Sequence, residues 1–274
     1  MTPISRARQL LLSGLLIAIA VVALISPAVG QLINFSKQQL IEYTPQNPFD
    51  RLPDGLQVLH SGKTMVGRAF TVQFMPLRGD VDDVAQAKSK RQTGQGLHNQ
   101  TAIDMLQPGD VLVVDIFGKK VDGTMVGDNL FFYVNQATHG GGLVVDGSVR
   151  DLDGISEIDM PAYFRSVDPT PIGNVMLTGI NVPTRIGNAI VMPGDLVVGD
   201  REGVYFVPPQ FVQEVLDKAD VTHIHDEWTK KKFAEGKYKS SDIYGSPHDP
   251  KLHQEYQEYL KKRLAEIREQ RGSK

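Results

Sequence analysis

GGGLVVDGSVRD, residues 140–151, decides how this chain is read. Leu143, Val144 and Val145 make a short apolar, β-branched run framed by glycine, which predicts a buried strand rather than a helix. The run leads to Arg150 and Asp151, a guanidinium beside a carboxylate at a strand end, where loops carry function. Consecutive side chains of a strand point to opposite faces, so these two converge on one ligand only where the strand gives way to a loop. Asp146-Gly147-Ser148 offers the turn chemistry for that change. The pair can be a surface ion pair. It can also bind a small acid as a metal chelate, with the carboxylate on a hard cation and the arginine forked onto an anionic oxygen.

The flanking sequence supplies strands and one helix start. Residues 66–74 alternate apolar and polar, which predicts a half-buried strand. A helical stretch at 101–106 meets the turn Pro108-Gly109-Asp110 and a buried strand at 111–114. Gly127-Asp128-Asn129 opens a helix through Ala137; Asp128 or Asn129 can cap it, or its first-turn N–H groups can receive an anion. Short β-like runs follow at 162–166, 174–178, 189–191, 196–199 and 204–207. Pro193-Gly194-Asp195 repeats the earlier turn, and each turn leads into an apolar strand ending in aspartate, Asp115 or Asp200. Such short strands among few helices predict an α+β or layered β/α body, too irregular for a barrel of eight repeated units.

Past Pro209 the composition turns helical and charged. A helix to about Ala219 is followed by a charged connector and a second helix at 254–271. There Tyr256, Leu260, Leu264 and Ile267 form a narrow apolar stripe, with Glu258 four residues before Lys262. A stripe so narrow docks on its own body or on a neighbouring subunit. The chain therefore divides into 1–30, an extended arm at 31–62 with a short helix near 37–41, a main domain at 63–220 and a helical extension at 221–274.

Arg6 and Arg8 precede an uncharged apolar run, Leu10 to Ile25, and then Ser26, Pro27, Ala28 and Gly30. This is a secretory signal layout, with cleavage after Gly30 or Ala28. Uncut, residues 10–25 become an inner-membrane anchor; either way the body is expected outside the cytoplasm, in the periplasm. Loss of residues 1–30 removes two arginines and no acid, moving the net charge from −3 to −5. An acidic chain argues against nucleic acid as a partner. With no cysteine, disulfides, thiolate catalysis and cysteine zinc sites are excluded.

Other motifs do not carry chemistry. His223 and His225 are two apart, so on a helix they face different ways and share no metal. The three glycines at 140–142 precede a strand, the wrong order for a dinucleotide loop. Ser148 lacks a nucleophile-elbow frame. Lys119 and Lys120 sit beside Asp122 in a polar loop, unsuited to Schiff-base chemistry.

GRAFTV (67–72), GDVLVVD (109–115), GGGLVVDGSVRD and PGDLVVGDREGVYFVP (193–208), in that order, resemble one family: the class II 4-hydroxy-4-methyl-2-oxoglutarate aldolases and RraA-like proteins. The resemblance covers about 66–219. It implies a β/β/α core, a homotrimer or hexamer with sites near subunit interfaces, and a magnesium- or manganese-dependent lyase. That enzyme would cleave a 4-hydroxy-2-oxo acid, or decarboxylate oxaloacetate, to give pyruvate. Arg150 is then the substrate-binding and catalytic arginine and Asp151 the catalytic metal ligand. Asp128, Asn129, Leu130 and Phe131 form the substrate-contacting helix start. Three of this chain's residues depart from the family pattern: Gly154 stands where an acid is frequent, with Asp153 one step early, Asn129 where glutamate is frequent, and His139 where glycine is common. The resemblance also leaves open a regulator that binds a ribonuclease, or an exported protein that binds oxo acids without turnover.

Overall fold

The computed structural model describes residues 56–60 and 62–272. The N-terminal segment 1–30 and the short helix expected near 37–41 lie outside the described residues. The chain divides into two compact units, one ending at Pro209 and one beginning at Gln210.

The first unit is built on an eight-stranded mixed sheet. β1 (Gln57–Leu59), β2 (Met65–Pro76), β3 (Asp110–Lys119), β4 (Leu143–Val149), β5 (Ala162–Val167), β6 (Val175–Ile180), β9 (Leu196–Gly199) and β10 (Val204–Val207) form it in the order β1-β5-β4-β3-β2-β9-β10, with β6 also on β2. β2, β3, β4 and β5 run parallel, and β1, β6 and β9 pair antiparallel to their neighbours. Between β6 and β9, β7 (Thr184–Ile186) and β8 (Ala189–Val191) make a separate two-stranded ribbon. The helices of this unit are α1 (Gly79–Thr93), α2 (Asn99–Ile103), α3 (Asp128–Thr138) and α4 (Leu152–Ser156).

Period-two alternation sorts the strands into two cores. Leu112, Val114, Leu143, Val145 and Phe164 point to one face, where Ile103, Phe131, Val134 and Ile155 of α2, α3 and α4 cover them. Val111, Val113, Val144 and Tyr163 point to the other, under Ile186 and Val191 of the ribbon. The result is the β/β/α layering: ribbon, sheet, helices. The strands are apolar on both faces because both faces are covered.

The two Pro-Gly-Asp turns fold alike. Asp110 N donates to Gln107 O at 3.0 Å and Asp195 N to Met192 O at 3.1 Å, with Gly109 and Gly194 at φ 83° and 87°. Pro at the second position and a positive-φ glycine at the third define a type II turn. Each aspartate also accepts from the turn's first amide at 2.9 Å, Gln107 N or Met192 N. Asp110 further accepts from Arg68 Nε at 2.7 Å. Burial pushes the Asp195 carboxyl up to about 6, against the pull of the Met192 amide.

Three elements differ from expectation. α1 has no apolar stripe to announce it and buries only Ser89; Asp80 and Asp82 in its first turn and Lys90 and Arg91 in its last complement the helix dipole. β1 stands within the expected extended arm, where it pairs with β5. In the second unit, α5 (Val212–Ala234) runs unbroken through the region expected as a charged connector. It is followed by α6 (Ser240–Ile243) and α7 (Pro250–Gly272). There Trp228 and Tyr256 meet at 5.2 Å between ring centroids, in a cluster with Ile243 and Leu252 and with Leu260 against it. The C-terminal stripe thus docks on α5, and Arg271 forks onto Asp220 at 2.7 and 2.8 Å. Among the described residues no helix is long and apolar enough to cross a membrane.

Candidate functional site

β4 does not stop at Val145. It runs through Val149, buried along its whole length, so Asp146-Gly147-Ser148 is strand and not the expected turn. Irregular register on both sides, between Val145 and Ser148 and between Asp115 and Lys119, absorbs the departure. Ser148 is tied down by its hydroxyl donating to Gly123 O at 3.0 Å. The turn falls at Arg150 and Asp151 themselves. Arg150 N donates to Val126 O at 3.0 Å, and Asp151 takes the left-handed conformation, φ 60° and ψ 47°, as the residue that caps α4. Aspartate is among the few residues that tolerate that region, and such positions concentrate where function holds them.

The reversal turns the Asp151 carboxylate back toward the start of α3. Arg150 Nε lies 3.2 Å from Asp151 Oδ2, and Asp128 N donates to the same oxygen at 3.4 Å. The side chains of Arg150 and Asp151 keep 31% and 42% of their surface exposed, so a small acid can reach both. The structure therefore brings Arg150, Asp151 and Asp128 together.

The helix start differs in detail from expectation. Gly127 occupies the cap position, not Asp128 or Asn129, and no side chain caps the helix. Asp128 Oδ1 accepts from Asn129 N at 2.7 Å. Phe131 is a correction: its ring is buried in the helix-side core, and its N–H already donates to Gly127 O at 2.9 Å, so it offers a ligand neither ring nor amide. Of the amides that precede that first helical bond, Asp128 N already donates to Asp151 Oδ2 and Asn129 N to Asp128 Oδ1, so Leu130 N is the one the first turn leaves for another acceptor. Leu130 is half-buried against the same core.

Reading the sequence missed two features. The first is Gly127. A side chain there would collide with Asp151 Oδ2 and stand 2.9 Å from Arg150 Nε. The second is a buried charged row under the ribbon. Asp115 and Asp146 are register partners on β3 and β4. Asp146 pairs with Arg165 of β5 and accepts from Gly187 N at 2.9 Å. Burial pushes the Asp115 carboxyl above the ordinary range; the Phe117 amide and the Arg185 charge oppose the shift, and Asp146 adds to it. Each of these aspartates closes an apolar run, LVVD or VLVVD, which was the available signal. In the second unit His225 is enclosed by the Gly245 carbonyl and the edge of Tyr256, consistent with a packing role.

The residues at Asp151 fit a hard divalent cation of one kind. Asp151 and Asp128 offer exposed carboxylate oxygen, the donor that magnesium and manganese prefer. Among the described residues no group of three or more His, Cys, Asp or Glu is arranged to enclose a metal. The fit is thus to an ion that takes one protein carboxylate and fills its remaining positions with water or substrate oxygen.

Arg150, Asp151 and the start of α3 thus meet at the carboxyl end of a parallel strand in a layered α+β domain, and comparison with known proteins identifies the family of that domain. The family model described as RraA-like, Aldolase/RraA, matches residues 46–206. The chain belongs to the RraA-like family. It is 31% identical over 161 residues, 58% of this chain and 75% of the other, to a Halalkalibacterium halodurans protein provisionally named 4-hydroxy-4-methyl-2-oxoglutarate aldolase. It is 27% identical to Protein DlpA of Legionella pneumophila over 66% of this chain but only 27% of that one. Among solved structures, Streptomyces coelicolor RraAS2, described as an unusual member of the RNase ES inhibitor RraA protein family, matches with a TM-score of 0.53 and 30% identity. That match covers 67% of this chain and 84% of RraAS2. The relatives therefore carry both an aldolase name and a regulator's name.

Proposed function

We propose that this protein is a divalent-metal-dependent carbon–carbon lyase. Its substrate is a 4-hydroxy-2-oxo acid such as 4-hydroxy-4-methyl-2-oxoglutarate, or oxaloacetate, and its product is pyruvate. The observation that carries the reading is the convergence of Arg150 and Asp151 on the first turn of α3. In the aldol cleavage the 4-hydroxyl loses its proton, the C3–C4 bond breaks and its electron pair passes toward the 2-oxo oxygen; C3 then takes up a proton. Decarboxylation breaks the corresponding bond with loss of carbon dioxide. Both routes develop negative charge on the same oxygen, so one site serves both.

The chain's own residues bind and orient. Arg150 forks onto a carboxylate or the developing oxyanion, a fixed donor aimed where charge grows. The Leu130 amide in the first turn of α3, with the positive end of the helix dipole, receives the other end of the acid. Asp151 would hold the cation, which supplies Lewis acidity at the oxo acid's carbonyl and carboxylate. The protein is further proposed to be exported, to the periplasm or tethered to the inner membrane by residues 10–25, and to work as a trimer or hexamer.

The test is pyruvate release from a panel of oxo acids with magnesium or manganese, on wild type and on Arg150→Ala and Asp151→Asn. Release by wild type that both variants lose supports the lyase; background turnover by wild type across the panel removes it. The likeness to RraAS2 favours one second reading, a non-catalytic regulator. Inhibition of a ribonuclease by a protein without turnover would establish that instead.

A further inference from the structure

We infer that Gly127 is the positioning residue of this site: its missing side chain is the notch that lets the Asp151 carboxylate reach the start of α3 with Arg150 beside it. The inference rests on reading Arg150 and Asp151 as the site, and adds what sets their placement. A β-carbon at 127 would overlap Asp151 Oδ2 and lie 2.9 Å from Arg150 Nε and 3.1 Å from Arg150 Cζ. All three atoms are the far ends of side chains that can swing. A methyl group there evicts the two charged groups and leaves the backbone where it is.

The backbone at 127 does not itself demand glycine. With φ −110° and ψ −170° it is extended, a conformation open to any residue. Other glycines of this unit are different. At Gly141 a β-carbon would run into the Asp110 carbonyl, and Gly142 sits at φ 137°, so substitution there disturbs the fold itself. At Gly154 the obstacle is the β-carbon of Asp128 at 2.8 Å, which cannot rotate away, so a side chain there must shift α4 or α3. Gly127 alone of these four combines a permissive backbone with a clash confined to Arg150 and Asp151. Glycine is required there by the two side chains that share its space. Gly127→Ala keeps every charge and every oxygen donor of the site and changes only where they stand.

The experiment compares wild type, Gly127→Ala, Asp151→Gly and the double variant, all as the full chain. Binding of Mn2+ alone is followed by the electron paramagnetic resonance signal of the free ion. The Arg150 Nε–H cross-peak, assigned by its loss in Arg150→Lys, reports the arginine's surroundings. Pyruvate release and thermal melting complete the set. We expect Gly127→Ala to weaken Mn2+ binding and pyruvate release tenfold or more and to move the Arg150 cross-peak. Any melting-temperature loss should shrink when Asp151→Gly removes the colliding carboxylate, because the two positions are coupled through that contact.

An Arg150 cross-peak unmoved by Gly127→Ala, or an equal melting loss on both backgrounds, overturns the inference, as does undiminished Mn2+ binding where wild type binds. Wild type that neither binds Mn2+ nor releases pyruvate sinks the lyase reading instead. The cross-peak and the melting cycle then still decide the steric role of Gly127. Should Gly127→Ala not fold, the double variant decides: recovery of folding supports the notch and continued misfolding refutes it.

Discussion

Two aspartate–arginine pairs stand along β4, one joining it to β5 from within the strand and one just past its carboxyl end, and they differ in almost everything but composition. Asp146 is buried and Arg165 largely so beneath the β7–β8 ribbon, where the carboxylate also accepts from the Gly187 amide. Arg150 and Asp151 stand half-exposed at the end of β4, where Asp151 Oδ2 meets Arg150 Nε at 3.2 Å and the Asp128 amide at 3.4 Å. The first pair has its hydrogen bonds made within the protein and fastens the ribbon to the sheet. The second keeps bonding capacity that solvent can reach, which is what a ligand needs. Residue type does not separate a fastening from a site; what is left unsatisfied, and where, does.

The sharpest way to break this contrast is to remove one member of the largely buried pair. Asp146→Ala should lower the unfolding free energy by about 3 kcal/mol, because it breaks a largely buried ion pair and removes the acceptor of the Gly187 amide. Urea unfolding that matches wild type would show the pair to be no fastening at all. The mirror experiment is Asp151→Asn, which keeps a residue suited to the left-handed backbone. It should cut pyruvate release at least a hundredfold, roughly 3 kcal/mol in the barrier. Turnover retained by that variant would end the contrast from the other side.

Asp195 gives a smaller effect, in acid. Its folded pKa is raised from 3.8 to about 6 by burial. The native state therefore holds the proton more tightly than the unfolded chain does. This group's contribution to stability grows as pH falls from about 6 toward 4 and is lost as pH rises through about 6. Asp195→Asn should flatten that part of the stability profile, by about 2–3 kcal/mol across the window. An unchanged slope in chemical denaturation at several pH values would contradict it. Smallest of all, Arg150→Gln should change stability by less than about 1 kcal/mol, since exposed ion pairs contribute little. A larger loss in urea would make the open pair a second fastening.

Much of the fold was legible because local rules and burial agreed. The Pro-Gly-Asp turns were readable since the residues that make a type II turn are few. The strand at 143–145 and the helix after Gly127 were announced by apolar runs and their flanks. α1 was not, because it is stabilised by charge placement without an apolar stripe, so periodicity had nothing to register. β4 was read too short because Asp146, Gly147 and Ser148 favour turns in isolation, yet the partners Arg165 and Gly187 N hold Asp146 within a strand. Phe131 was placed among ligand contacts although it belongs to the core, since adjacent helix positions point in different directions and the register was not known.

The sequence alone determined the α+β class, the buried strand blocks, the helical C-terminal portion and the adjacency of Arg150 and Asp151, because each depends on residues near one another in the chain. Tertiary structure alone decided that Asp151 turns back over α3, that Gly127, 24 positions earlier, makes room for it, and that Asp115 and Asp146 share a sealed row. Those relations depend on how parallel strands and their crossovers bring distant segments together, and hydrophobic pattern specifies that a strand is buried without specifying which loop meets which at its end.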